Sequence, residues 1–156
     1  MMKKILFVCT GNTCRSPMAA AVLQACIEKD GRQAEVQAES AGLTAMEGDG
    51  AAENAVLAAK AQGMELSRHR ARRLTASMVQ QAALVLTMTA KHKAAILSAM
   101  PEASGKVFVF TEYADFSGDI TDPFGGDFAR YTQCLQDMQR CMAGIWQKFC
   151  RYGNAD

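Results

Sequence analysis

Hydrophobic and polar positions fall in short blocks along this chain, and the blocks change period. Lys3 to Val8 is a brief apolar run rich in β-forming residues and bounded by Gly11, which predicts a buried first strand. From Pro17 the period turns helical: Met18, Ala21, Val22, Ala25 and Cys26 recur at helical spacing, and Gly31 ends the segment. Ala34 to Glu39 alternates as a second strand, with Ser40-Ala41-Gly42 as its turn. Ala51 to Gln62 is an alanine-rich helix stopped by Gly63, and Ser67 to Leu74 is a basic connection. Thr75 is placed to cap a short helix through Gln81, and Ala83 to Met88 is a third strand. Thr89 caps a helix that turns Ile96, Leu97 and Met100 inward before Pro101 breaks it, and Lys106 to Phe110 is a fourth strand. A Pro/Gly loop from Thr121 to Asp127 leads into a last helix, where Tyr131, Leu135, Met138, Met142, Ile145 and Phe149 form a core-facing stripe.

Short apolar strands separated by helices predict an α/β fold: a four-stranded parallel sheet flanked by helices on both faces, with right-handed crossovers. Ligands of such sheets bind at the carboxyl ends of the strands. The first strand ends at Cys9.

Composition narrows the classes. A length of 156 residues fits one domain spanning 1–156. With 49% hydrophobic and 21% charged residues, the chain is not a disordered segment. Lys+Arg 17 against Asp+Glu 16 leaves a net charge of +1, too balanced for the broad positive field of a nucleic-acid binder. No apolar run approaches the roughly 18–20 residues that cross a membrane, and the stretch from Ile5 to Val8 is too short for a signal peptide. The expectation is a soluble cytoplasmic domain. Its cysteines show no paired CxxC zinc frame, and a reducing compartment disfavours disulfides. Cys26, Cys134, Cys141 and Cys150 lie in helical stretches and read as small buried hydrophobes.

Cys9 and Cys14 differ because of their surroundings. CTGNTCRSP, from Cys9 to Pro17, joins a strand to a helix through a tight loop. That geometry points several backbone N–H groups, together with the helix dipole, at one centre and makes an anion site. Gly11 and Asn12 tolerate the positive φ angles of such a curl. Ser16 reads as the helix N-cap with Pro17 at the first helical position. Arg15 adds a planar fork matched to two phosphate oxygens. A thiol inside such a ring of donors ionises readily. One loop thus supplies a nucleophile and a cradle for a phosphoryl group.

VCTGNTCRSPMA resembles the signature of the low-molecular-weight protein-tyrosine-phosphatase family. SAG at Ser40 to Gly42, HRARRLT at His69 to Thr75, LVLTM at Leu84 to Met88 and DPFGG at Asp122 to Gly126 fall where that family has corresponding segments. The resemblance implies a four-stranded parallel sheet and a metal-free phosphatase site that uses no cofactor. Carried across, Cys9 is the nucleophile, Arg15 the phosphate clamp and Asp122 the general acid. Thr10, Gly11, Asn12, Thr13, Cys14 and Ser16 make up the phosphate loop, with Ser16 donating to the Cys9 thiolate. Asn12 braces the loop with help from Ser40, and Phe124 walls the substrate. Phosphorylated proteins are the implied substrates and inorganic phosphate the product.

The chemistry asks for these residue types independently. Displacement at phosphorus needs a nucleophile, charge stabilisation on three oxygens and a proton for the leaving atom. Asp115, Asp119 and Asp127 are competitors of Asp122 for the acid role. Two departures bear on the substrate. Thr13 stands where tyrosine-specific relatives often carry a bulky aliphatic residue, and Phe124-Gly125-Gly126 stands where they carry one or two tyrosines. TGNTCRS with DPFGG is similar to the protein-arginine-phosphatase branch: a hydroxyl at Thr13 suits a polar guanidinium, a bulky aliphatic a flat ring. Phosphotyrosine remains the alternative.

A thiol-linked arsenate reductase would need a further cysteine between Thr75 and Lys93, where there is none. A non-catalytic phosphate-binding module would need Arg15 and the loop amides but not Cys9. Cys14 is close enough in sequence to trap an oxidised Cys9 as a disulfide. Arg68, Arg70, Arg72 and Arg73 read as a solvated connector, with a docking patch for acidic proteins as the alternative. His69 and His92 do not adjoin the thiol loop in sequence.

Overall fold

The computed structural model describes residues 2–153. Its sheet holds four parallel strands in the order β2-β1-β3-β4, formed by β1 (Lys3–Cys9), β2 (Val36–Gly42), β3 (Leu84–Thr87) and β4 (Val107–Val109). Helices α1 (Arg15–Lys29), α2 (Glu53–Ala61), α3 (Ala76–Gln81), α4 (Ala90–Ala99), α5 (Phe110–Tyr113) and α6 (Phe128–Tyr152) complete the fold, with a 3-10 turn at Pro101–Ala103.

β1 is central, and from Ile5 to Cys9 every residue is buried, as expected of a parallel strand covered on both faces. Alternation sorts its side chains between two layers. Ile5 and Phe7 pack with Met18, Leu23, Leu135 and Met138, on the side of α1 and α6. Leu6 and Val8 pack with Val79, Ile96 and Met100, on the side of α3 and α4. The chain leaves β1 toward β2 and later returns on the opposite side as β3. The carboxyl end of β1 is therefore the point where strand order reverses, the expected ligand position.

The capping reading holds for Thr75, which accepts from Met78 N–H, and for Thr89, which accepts from His92 N–H. All six stripe residues of the last helix are buried. Several boundaries differ. Ser16 is not the N-cap: Cys14 occupies that place, α1 begins at Arg15, and the Ser16 hydroxyl is engaged elsewhere. With this earlier start the buried face of α1 is Met18, Ala19, Val22, Leu23 and Ile27, while Ala25 is exposed. Ser40-Ala41-Gly42 is not a turn. These residues pair with Phe7, Val8 and Cys9, so β1 holds them in extended form. Phe110 leaves the sheet and opens the short α5, whose buried Phe110 and Tyr113 no periodicity had separated from the strand.

Candidate active site

Cys9 is 3% exposed, yet it lines a pocket of about 250 Å³ together with Thr10, Gly11, Thr13, Cys14 and Arg15. Asp122 and Phe124, more than a hundred residues later, line the same pocket. Cys9 Sγ lies 2.9 Å from Ser16 Oγ and accepts from the Asn12 backbone N–H at 3.3 Å. Arg15 Nη2 lies 3.5 Å from Asp122 Oδ2, and Arg15 Nη1 donates to the Ile120 carbonyl at 3.1 Å. The guanidinium thus spans from the loop after β1 to the segment around Ile120 and Asp122.

The loop holds its shape from behind. Asn12 has φ 56, is fully buried, and donates from Nδ2 to both Ser16 Oγ (2.8 Å) and Ser40 Oγ (2.9 Å). Its Oδ1 accepts from Arg72 N–H at 3.0 Å. The side chains of Asn12, Ser16 and Ser40 stand behind the pocket as a brace and do not line it. Gly42 lets the loop pass: a Cβ there would sit 2.7 Å from the Thr10 carbonyl oxygen and 2.8 Å from Asn12 N. Thr13 faces the pocket, and its carbonyl accepts from Ala52 N–H.

The competing carboxylates have other tasks. Asp119 accepts from Ala90 N–H at the start of α4, Asp127 caps α6, and Asp115 lies 3.9 Å from Lys148. Asp122 instead accepts from the Phe124 N–H at 3.0 Å, in a turn that leaves Phe124 74% exposed at the rim. Asn54 donates to the Gly126 carbonyl and ties the Asp122–Gly126 segment to α2.

Four contributors are not apparent from the sequence. His69 Nε2 lies 2.7 Å from the Asn12 carbonyl and donates to it, and burial pushes this ring below the usual histidine range. Arg72, read as solvated connector, donates to the Ser40 carbonyl and pairs with Glu39. His92 Nε2 lies 2.9 Å from Thr10 Oγ1. Tyr131, read only as core, places its hydroxyl 3.2 Å from Cys14 Sγ, and burial pushes the phenol up. Pattern alone cannot find these, because each is brought in by a connection remote in sequence. Burial raises the thiols of Cys26, Cys134, Cys141 and Cys150, which suits inert packing roles. Among the described residues no helix is long and apolar enough to cross a membrane, and no group of three or more His, Cys, Asp or Glu could hold a metal ion.

Comparison with known proteins agrees in sequence and in fold. The family model for low molecular weight phosphotyrosine protein phosphatase matches residues 4–152. A protein-arginine-phosphatase of Geobacillus stearothermophilus is 38% identical over 149 residues, covering 95% of this chain and 97% of that protein. A probable low molecular weight protein-tyrosine-phosphatase, EpsP of Ralstonia nicotianae, is 39% identical over 140 residues, covering 90% and 91%. The structure of a YwlE arginine phosphatase mutant with a phosphorylated active-site serine in place of cysteine superposes with TM-score 0.90 at 35% identity, covering 96% of this chain and 97% of that one. By motif, by near-complete overlap and by sheet architecture, this chain belongs to the low molecular weight phosphotyrosine protein phosphatase family.

Proposed function

We propose that this chain, read as one phosphatase domain, hydrolyses phosphoarginine side chains of proteins, with Cys9 as nucleophile, Arg15 as phosphate clamp and Asp122 as general acid. The observation that carries the reading is the convergence of the Cys9 thiol, the Arg15 guanidinium and the Asp122 carboxyl on one pocket. Cys9 Sγ attacks phosphorus, the P–N bond breaks, and Asp122 gives its proton to the departing guanidine nitrogen. Loop N–H groups and Arg15 carry the charge on the phosphoryl oxygens. Water then attacks phosphorus and gives a proton to Asp122, the O–P bond forms as the S–P bond breaks, and the sulfur leaves as a thiolate that Ser16 Oγ, 2.9 Å away, stabilises. The phosphorylated serine of the related arginine phosphatase supports a covalent intermediate at the Cys9 position. No step calls on a metal.

Two features favour arginine. Thr13 presents a small polar side chain to the pocket, and relatives named as protein-arginine-phosphatases match nearly the whole chain. The exposed ring of Phe124 at the rim favours the second reading, a phosphotyrosine substrate, and relatives named as tyrosine phosphatases also match. A reducing, cytoplasmic setting suits this chemistry, because Cys9 must remain a thiol to attack phosphorus.

The deciding experiment compares turnover on paired phosphoarginine and phosphotyrosine peptides, with and without EDTA. Arginine preference, insensitivity to chelator and loss of turnover with retained phosphate binding in Cys9→Ser are expected. A strong tyrosine preference replaces the substrate, and a parent protein without turnover on either peptide returns the chain to a phosphate-binding module.

A further inference from the structure

His92 is 6% exposed and sits in the first turn of α4, set there by the Thr89 cap at the end of β3. Its Nε2 lies 2.9 Å from Thr10 Oγ1, and Thr10 is the loop residue next to Cys9 on the wall of the pocket. Its Nδ1 is buried with no hydrogen-bond partner among the described residues.

These facts select a tautomer. A neutral imidazole carries one N–H donor and one bare acceptor. Were Nδ1 protonated, a buried N–H would stand unpaired; with Nε2 protonated, the unpaired atom is only a lone pair, and orphaned donors are the rarer of the two in proteins. Burial and the nearby Arg15 push His92 below the usual histidine range, against the opposing pull of Asp119 and Asp122, which favours the neutral ring. The Nε2–H therefore donates to Thr10 Oγ1. With that lone pair taken, the Thr10 O–H is left to donate to a partner other than the ring, and Thr10 lines the pocket. A guanidinium has no acceptor, so the group this hydroxyl serves is a phosphoryl oxygen.

We propose that His92 is a positioning residue that fixes the Thr10 hydroxyl as an additional phosphoryl-oxygen donor beside the loop amides and Arg15. The inference rests on the phosphate-site reading above, but not on the identity of the leaving group. It makes His92, remote in sequence and outside the pocket lining, a determinant of phosphate affinity.

The test is calorimetric binding of inorganic phosphate to the full chain, with stability followed by thermal melting. Thr10→Val weakens phosphate binding roughly tenfold, the size of one hydrogen bond to a charged group. His92→Leu weakens it several-fold, His92→Gln, whose amide can reach the same hydroxyl, restores most of it, and His92→Leu adds nothing to Thr10→Val. An unchanged phosphate affinity in a folded His92→Leu protein, or equal losses from His92→Leu with and without Thr10→Val, overturns the proposal. Nitrogen-15 histidine NMR of the unaltered protein gives an answer that does not depend on any variant folding: protonated Nε2 supports the assignment, protonated Nδ1 refutes it. Phosphopeptide turnover, measured beside these, reports separately on the enzymatic reading.

Discussion

Arg15 Nη2 rests 3.5 Å from Asp122 Oδ2, so the structure pairs the proposed clamp with the carboxyl that the proposed reaction needs as an acid. A phosphoryl group entering the pocket competes for the same guanidinium. In the proposed reaction, its arrival would give Arg15 a second anionic partner and free the Asp122 carboxyl to serve the leaving atom. The proposed reaction thus links binding and acid placement through one side chain that is itself 5% exposed and donates to the Ile120 carbonyl.

Asp122→Asn removes the proton donor and leaves the loop intact. Turnover of a phosphopeptide is expected to fall roughly 10²–10⁴-fold. An aryl phosphate with a strongly acidic leaving group loses much less, because its departing oxygen needs little protonation. Steady-state kinetics on both substrates checks this, with inorganic phosphate inhibition expected to be no weaker.

Gly42→Ala puts a methyl group 2.7 Å from the Thr10 carbonyl oxygen and 2.9 Å from the Gly11 carbonyl carbon. Both are backbone atoms, so the phosphate loop itself must shift. The expected outcome is a loss of about 1–3 kcal/mol in stability together with a loss of phosphate binding. Denaturant titration and calorimetry read the two effects.

Stability depends on pH through the two loop-contacting histidines. Burial, helped by Arg70 and Arg72 at His69 and by Arg15 at His92, lowers both from the ordinary value of 6.5. A lowered value in the native state means that the unfolded chain binds more protons in this range, so stability rises with pH. The contribution is complete above the unfolded value and is lost as pH falls through the native ones. Denaturation midpoints measured from about pH 8 down to about pH 5 should decline, and His69→Gln, which keeps a donor for the Asn12 carbonyl, should flatten part of that decline.

Peroxide inactivation is expected to be reversible. Peroxide oxidises the Cys9 thiolate to a sulfenic acid, the Cys14 thiol attacks that sulfur, an S–S bond forms and water leaves. Cys14 lines the same pocket, and its sulfur contacts the Tyr131 hydroxyl. Activity regained with dithiothreitol in the parent protein, and not in Cys14→Ser, is the expected result.

The sequence is most legible where one residue type has one physical use. The central strand, the capping threonines, the long stripe of α6 and the tight loop that follows Cys9 all fall in this class. What stays hidden depends on pairing across distance. Gly42 looks like a turn glycine because its neighbours in sequence are small, yet it belongs to a strand, and its lack of a side chain serves a loop thirty residues earlier. Arg72 and His69 look like a solvated basic run because nothing local shows that Asn12 lies beside them. Ser16 has the right chemistry for a cap, and tertiary contacts claim its hydroxyl instead.

The bracing network described above has a consequence for adaptability. Asn12, Ser16, Ser40 and Arg72 hold the sulfur's seat through bonds that face away from the incoming substrate. Thr13 and Phe124, which line the pocket, take part in none of those bonds. A scaffold divided in this way lets two front-facing side chains be exchanged to suit a new clientele while the machinery that handles phosphorus goes on unaltered.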